Sequence, residues 1–571
     1  MRRAAYVSIL VVLFAGLQFL FGNNDLWDDS FIGMLYARNL ARGVGPFFLT
    51  LQQQAVSGYS RVEGFSNPLW TLLTAGFYWL PGSVFLWIKL ASFFSAVALG
   101  LFSAKLLREI TGKAGKAAPV WVTGLAALLV ALNPSVLVYT KSGMETVSFT
   151  ALVLAGLWHT LRTDQEPRSC NQLLNMLLWL AVALTRPEGI LYAGVAGLFL
   201  LVTLRKLLFR RLLLNWLLPF FLLFTGFLLL RHFLYGEWLP NTFYAKVALR
   251  ADGDIRSWVG ILKTGLRYSG QFFRERLGVE MLFALAGFIW LKNLSYRALS
   301  LVGLVMASNL VFVASVGGDF WPLFRFFQVT WCLINVLSVV PILMVVVGQP
   351  LPNFAGAKTI WPGRIWSPVL AVVLLAFQPI TQFFQNPLFY GTLPLLSMER
   401  VRQTLTARHA TPLFVLGKWV KENLPANAVL AVDQAGQIPY YADREVVDVM
   451  GLNDHYLARH PLEWSYLRRR GVTHWLAAVV EREGEPSLLY PELLQQTDFR
   501  ASFCLTRVFE GLDEYRNRDV IVLFTRRDRL SDQQLLLCRE AVSHSQSLSE
   551  MLSLPIPKTV LSSSAVKDLK P

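Results

Sequence analysis

Two adjacent carboxylates, Asp28 and Asp29, stand in the stretch GNNDLWDDSFIGMLYARNLARG (residues 22–43), directly after an apolar N-terminal run. Any polar residue can end a span, so an acid pair is more than a solvated loop needs. Five further short motifs share this character. They are RVEGFSNPLW with Glu63, KSGMET with Lys141 and Glu145, TRPEG with Arg186 and Glu188, YGEWLPNTFYAK with Asn241, Tyr244 and Lys246, and GGDFWPLFRFF with Asp319 and Arg325. Singly, each has a bland reading: Pro and Gly stop helices, and a charged side chain beside a span snorkels to the interface. Together they gather acids and bases where apolar runs end, and ionisable groups at that depth are costly unless they pair or line a wet cavity. Such a set suits transfer from a lipid phosphate. A carboxylate takes the proton of an attacking hydroxyl while Arg or Lys holds the phosphate leaving group. Asp28 and Asp29 are therefore the catalytic candidates, and the other ten residues are candidates for binding donor and acceptor. Trp27, Phe65, Trp238, Tyr244, Phe320 and Trp321 offer flat faces to sugar rings, although an aromatic belt accounts for most such residues. No zinc spacing, Walker loop, GxSxG or nucleotide fingerprint occurs, which argues against a nucleotide-sugar donor. A divalent cation is left open, with no ligand set assigned.

The elements that carry these residues read as membrane helices. Of 571 residues, 54% are hydrophobic, and the mean hydropathy is +0.45. The apolar residues are gathered into runs, which marks a polytopic membrane protein. The net charge of +16 lies largely in short loops beside spans, where positive charge marks the cytoplasmic face, so it does not call for nucleic acid. Arg2 and Arg3 place the N-terminus inside, and the run at 6–21 is read as a retained first helix. The stretch 67–80 is expected to lie in the interface, because counting it as a span would put the lysines of KLLREITGKAGK outside. Spans are then expected at 84–106, 120–138, 146–161, 173–185, 190–204, 212–230, 281–291, 299–316, 326–347 and 366–383, about eleven in all. Every motif named above falls on the outer side.

This divides the chain into an all-α membrane domain at 1–385, with its first outer loop at 22–83, and a soluble outer α/β domain at 386–545. In the latter, ANAVLAVD and DVIVLFT alternate as strands and LFVLGKWVKENL reads as an amphipathic helix. The tail 546–571 is Ser-rich and is expected to be unstructured. Within VDQAGQIPYYADREVVDVMGLND, a strand ends at Val432, Gly436 permits a tight turn and a second short strand follows. Asp433, Asp448 and Asp454 are open to two readings, turn and cap duty or contact with an acceptor or cation. Cys504 and Cys538 share the outer domain and are candidates to pair in an oxidising compartment, whereas Cys170 and Cys332 are expected to stay reduced.

With these residues in hand, the chain resembles the GT-C class of lipid-linked-sugar glycosyltransferases. It is most similar to the branch containing the mycobacterial terminal β-1,2-arabinofuranosyltransferase and its bacterial relatives. The motifs DDSFIGMLYARNLARG, EGFSNPLW, GMET, RPEG, PNTFYAK, GGDFWPLFRF and DQAGQIPYYADREVVDVMGLNDHYLAR carry the resemblance in that order over most of the chain. It implies a polyprenyl-phosphate sugar donor, a glycan or glycolipid acceptor, membrane lipids as partners, and an active site on the outer face of a bacterial cytoplasmic membrane. It also implies that the acid pair sits near the catalytic centre, with Asp28 favoured as the base. A transporter or flippase of lipid-linked sugars is the rival reading, and a non-catalytic partner in envelope assembly is a third. The chain shows no convincing internal repeat and its charges sit at helix ends rather than at mid-depth, which favours the transferase.

Overall fold

The computed structural model describes residues 26–48, 61–112, 119–204, 208–248, 258–276, 278–291, 295–319, 321–346, 411–482, 485–512, 518–532, 534–535 and 557–560. The expected spans at 6–21 and 366–383, and the expected domain boundary near 385, lie outside these. The described elements up to Val346 are all helices, and an α/β domain begins at Thr411 among the described residues.

Four helices among the described residues are long and apolar enough to cross a membrane: Val84–Thr111, Phe209–Tyr235, Tyr296–Val316 and Pro322–Met344. At 1.5 Å per residue the first spans about 42 Å. The last is almost wholly buried inside the protein, whereas Phe209–Tyr235 turns Phe221, Leu222, Leu229 and Phe233 outward, as lipid contact requires. Shorter apolar helices at Val120–Ala131, Ser169–Thr185, Gly189–Thr203 and Glu280–Leu291 pack among them. The run at 120–138, expected as one span, is two helices. Asn133 caps Pro134–Tyr139 by accepting from the Ser135 N–H at 3.0 Å, and proline occupies the first helical position, where its missing N–H is not needed. The amphipathic helix Trp258–Arg276 was passed over by the hydropathy reading, because its buried positions are interleaved with Lys263, Arg267 and Arg274.

The α/β domain is built on one seven-stranded sheet. Its strands are β1 (Val429–Val432), β2 (Glu445–Asp448), β3 (His474–Arg482), β4 (Glu485–Leu488), β5 (Phe503–Leu512), β6 (Arg518–Arg526) and β7 (Lys558–Val560). Their order is β2-β1-β3-β6-β5-β7, with β4 paired to β3. β1 runs parallel to β2 and β3, and β6 runs antiparallel to β3 and β5. Strand β7 falls within the tail expected to be unstructured. It adds to the edge of β5 over three residues, too few for an alternating pattern to be visible in the sequence.

The two-residue period of the strands builds a core on each face. Ala431, Val447, Trp475, Val522 and Phe524 face Trp464, Leu467 and Phe499. On the other face Leu430, Val446, Leu476, Ile521 and Leu523 meet Leu416 and Val420 of helix Pro412–Asn423. That second core is completed by Ile32, Leu35, Tyr36, Val62 and Phe65 from the N-terminal part of the described chain. Helix Asp28–Ala41 thus belongs to both domains, since Phe31 and Met34 pack against Trp70 and Ile88.

Candidate active site

Where the helix ends meet the α/β domain, they enclose a cavity of about 900 Å³. Eight of the residues singled out from the sequence line it: Asp28, Asp29, Glu145, Arg186, Glu188, Lys246, Asp319 and Arg325. They come from five separate segments of the chain and the α/β domain closes over them, contributing Asp433, Gln434, Met450 and Tyr490. Asp433 and Gln434 follow β1 and Met450 follows β2, so the cavity lies at the carboxyl ends of parallel strands, where open α/β sheets hold ligands.

The two acids of the first loop do different things. Asp28 begins the helix with Asp29, where the positive end of the helix dipole favours both. Its two oxygens accept the backbone N–H groups of Gly436 at 3.0 Å and Gln437 at 2.6 Å, which ties the loop to the α/β domain. Burial pushes its carboxyl up to about 7, against the pull of the Gln437 N–H, and the neighbouring charge of Asp29 adds to the rise. Gly436 is required there, because a Cβ on it would sit 1.9 Å from the Asp28 carbonyl oxygen. Asp29 accepts from the Trp321 indole N–H at 2.8 Å through Oδ2, and its Oδ1 has no hydrogen bond among the described residues. Trp321 in turn stacks on Trp27, ring centroids 4.5 Å apart.

Arg186 is shared between Glu145 (2.9 Å) and Glu188 (2.6 Å), all three deeply buried, and the second oxygen of Glu145 accepts from Asn67 at 2.7 Å. Breaking a buried pair of this kind by removing one partner costs about 3–5 kcal/mol, so the triad serves as the frame of the cavity. Arg325 donates Nε to Asp319 at 2.7 Å and Nη1 to the Met144 sulfur at 3.4 Å, and Nη2 has no hydrogen bond among the described residues. Lys246 is exposed on the cavity wall, in a π-turn at Tyr244–Ala248.

The segment carrying Arg325 is strained. Leu323 (φ 58°) and Phe324 (φ 52°) are consecutive left-handed residues without being glycine, a conformation costing about 1–3 kcal/mol each. It is held by three anchors: Tyr139 donates its hydroxyl to the Pro322 carbonyl (2.8 Å), Asn309 its amide to the Phe326 carbonyl (2.9 Å), and Trp321 its indole to Asp29. Thr330 donates to Asn309 Oδ1 at 2.6 Å and so fixes the amide's orientation.

Four candidates lie elsewhere. Glu63 is buried against Arg231, an arginine that the sequence reading missed because it sits inside an apolar run; the closest approach is 2.5 Å. Asn241 donates to the carbonyls of Gly451 (2.8 Å) and Leu452 (3.0 Å) and accepts from Arg459, and so fastens the α/β domain. Tyr244 donates to Glu237 at 3.2 Å beneath the Arg459 guanidinium. Lys141 is not among the lining residues. Of the domain's own acids, Asp454 caps Tyr456 and Leu457 and pairs with Arg470 at 2.9 Å, and Asp448 accepts from Met450 and Asn453. Both serve turn and cap duty, and Asp433 alone of the three reaches the cavity, its Oδ2 accepting from the Ala478 N–H at 2.7 Å. Of the aromatic candidates, Phe65 and Trp321 line the cavity, Trp238 stacks on His232, and Phe320 lies outside the described residues. Cys504 is disulfide-bonded, Cys170 and Cys332 are free, and Cys538 lies outside the described residues.

The oligosaccharyltransferase of Archaeoglobus fulgidus, tethered to an acceptor peptide, superposes with a TM-score of 0.50 at 12% identity, over 83% of this chain and 68% of its own. The same archaeal enzyme, AglB, in complex with an inhibitory peptide and a dolichol-phosphate gives 0.50 at 11% identity, over 83% and 69%. This chain has the GT-C fold. The GT-C architecture is that expected from the sequence: a polytopic helical membrane domain followed by an α/β domain. The arabinosyltransferase EmbB of Mycobacterium smegmatis gives a TM-score of 0.33 at 12% identity, over 88% of this chain and 44% of its own. A family model described as a domain of unknown function, DUF8728, matches residues 401–529, which is most of the α/β part of this GT-C chain. Among curated proteins, none matches.

Proposed function

We propose that this protein is an integral-membrane glycosyltransferase. It moves a sugar from a polyprenyl-phosphate donor to an envelope glycan or glycolipid at the outer face of the cytoplasmic membrane. One observation carries the reading: a single cavity at the ends of the membrane helices holds a carboxylate oxygen with no hydrogen bond among the described residues, on Asp29, together with the cations Arg325 and Lys246. Asp29 takes the proton of the acceptor hydroxyl as it attacks the sugar. Arg325, held side-on by Asp319, presents its Nη2 to the departing phosphate, and Lys246 adds a second positive charge. Asp28, with both oxygens committed to Gly436 and Gln437, sets the position of its neighbour. A lipid-linked donor suits a site at helix ends, and in the archaeal oligosaccharyltransferase this fold accommodates a dolichol-phosphate. The test is incubation of the purified protein with a panel of polyprenyl-phosphate sugars. Consumption of one of them, with release of polyprenyl phosphate, supports the reading, and inertness toward the whole panel in the presence of envelope acceptors rejects it.

A further inference from the structure

The helix Trp258–Arg276 has four distinct sides. Ile261, Gly265, Tyr268, Ser269 and Phe272 are buried, and Gly265 lies so close to helix Tyr296–Val316 that a Cβ would meet the Ala314 carbonyl oxygen at 2.5 Å. Trp258 (71%), Val259 (61%), Leu262 (46%) and Leu266 (52%) form an exposed apolar stripe. Lys263 and Arg267, one turn apart, are exposed and have no ion pair among the described residues, and Arg274 continues their row. Thr264 lines the cavity. At 100° per residue, the basic row falls between the apolar stripe and the side that carries Thr264. A helix so divided, with an apolar stripe beside a cationic row, suits the boundary between acyl chains and headgroups.

We infer that this helix is a landing site for a phosphate-bearing lipid, with the isoprenoid chain along the Trp258–Leu266 stripe and the phosphate on Lys263 and Arg267, one step around the helix from the cavity. The inference rests on the reading of the cavity as a lipid-phosphate site and deepens it by giving the donor its route. From the basic row the headgroup passes Thr264 and enters the cavity, whose wall carries Lys246 and Arg325. Each cation near a bilayer surface strengthens the hold on an anionic headgroup severalfold, so the pair together is expected to contribute about tenfold or more.

The test does not need turnover. The full-length protein is placed in phosphatidylcholine nanodiscs with graded amounts of a photoreactive polyprenyl monophosphate, and crosslinks are mapped by peptide mass spectrometry. The wild type is expected to crosslink within 258–276, and phosphatidylglycerol is expected to compete. K263Q/R267Q, two exposed changes that keep helix propensity, should need about tenfold more of the lipid for half-maximal crosslinking, while K421Q on the α/β domain should behave as wild type. Equal crosslinking by the double variant, or by an uncharged polyprenol, overturns the landing site, as does capture of a second copy of the chain by this stripe instead of the lipid. A wild type that crosslinks in this way but transfers none of the panel sugars would refute the transferase reading alone.

Discussion

At the residue scale, the question is which of two adjacent acids is the base. A pKa near 7 suits a general base, and Asp28 has one, but proton transfer at Asp28 would disturb the two N–H bonds that hold the α/β domain. Asp29 keeps one oxygen free and is bound by Trp321 through the other. The amide of Asp29→Asn fits the same space but cannot accept a proton. Transfer is expected to fall by roughly 10² to 10⁴ with donor binding retained. Asp28→Asn should lose far less rate and should show its effect as looser docking of the α/β domain, read by hydrogen exchange at 433–442. Near-normal transfer by Asp29→Asn, together with a collapse in Asp28→Asn, would return the base to Asp28. The sequence made the pair visible because two carboxylates at a span end have no cheap structural explanation. It left their roles undivided because the partners that separate them, Trp321 and the Gly436–Gln437 turn, are about 290 and 410 positions away.

At the scale of elements, the strained segment Pro322–Phe327 holds the most concentrated information about how the site is kept in shape. Left-handed conformations at Leu323 and Phe324 persist only if the surroundings over-determine them. Asn309, fully buried in Tyr296–Val316 and outside the cavity lining, is one of the anchors. Asn309→Ala removes the bond to the Phe326 carbonyl and is expected to raise the donor KM about tenfold, because the segment relaxes and Arg325 leaves its pose. Leu323→Gly accepts the positive φ without strain, so adding it to Asn309→Ala should restore part of the lost affinity. Measuring donor KM and kcat for the two singles and the double decides the matter, since additive losses would mean that strain plays no part. Nothing in GGDFWPLFRFF announces the kink, as its glycines lie ahead of it. Long apolar helices and alternating strands were legible because their periods repeat many times. The helix Trp258–Arg276 was not, because it is divided into four sides rather than two, and β7 was not, because it is three residues long.

For the whole molecule, the cavity exists only while the two domains are docked. The docking combines the shared apolar core of Ile32, Leu35, Val62 and Phe65 with polar contacts, among them the Asp28 bonds to Gly436 and Gln437 and the hydroxyl of Tyr36, shared among Val62, Gly64 and Asn453. Gly64 admits this because a Cβ there would lie 1.9 Å from Asn453 Oδ1. Asn453 in turn donates to Asp448, so two of the acids whose pKa burial raises, Asp28 and Asp448, both belong to this interface. Burial drives both to about 7 from 3.8, and their N–H partners offset only part of the rise. The docked form therefore holds protons that the separated, solvated form gives up. Stability from this source is fully present below about pH 4, declines as pH climbs toward 7, and levels off beyond it, at most on the order of 4 kcal/mol for each carboxyl. Melting of the full-length protein in nanodiscs between pH 5 and pH 8 should show the midpoint falling with rising pH. The slope should be shallower in Asp28→Asn and in Asp448→Asn, neither of which has a proton to lose. A midpoint that rises over this range in the wild type, with an unchanged slope in both variants, would mean that the two carboxyls are ionised in the docked state. In that case their N–H partners would outweigh burial and the interface would be held by charge.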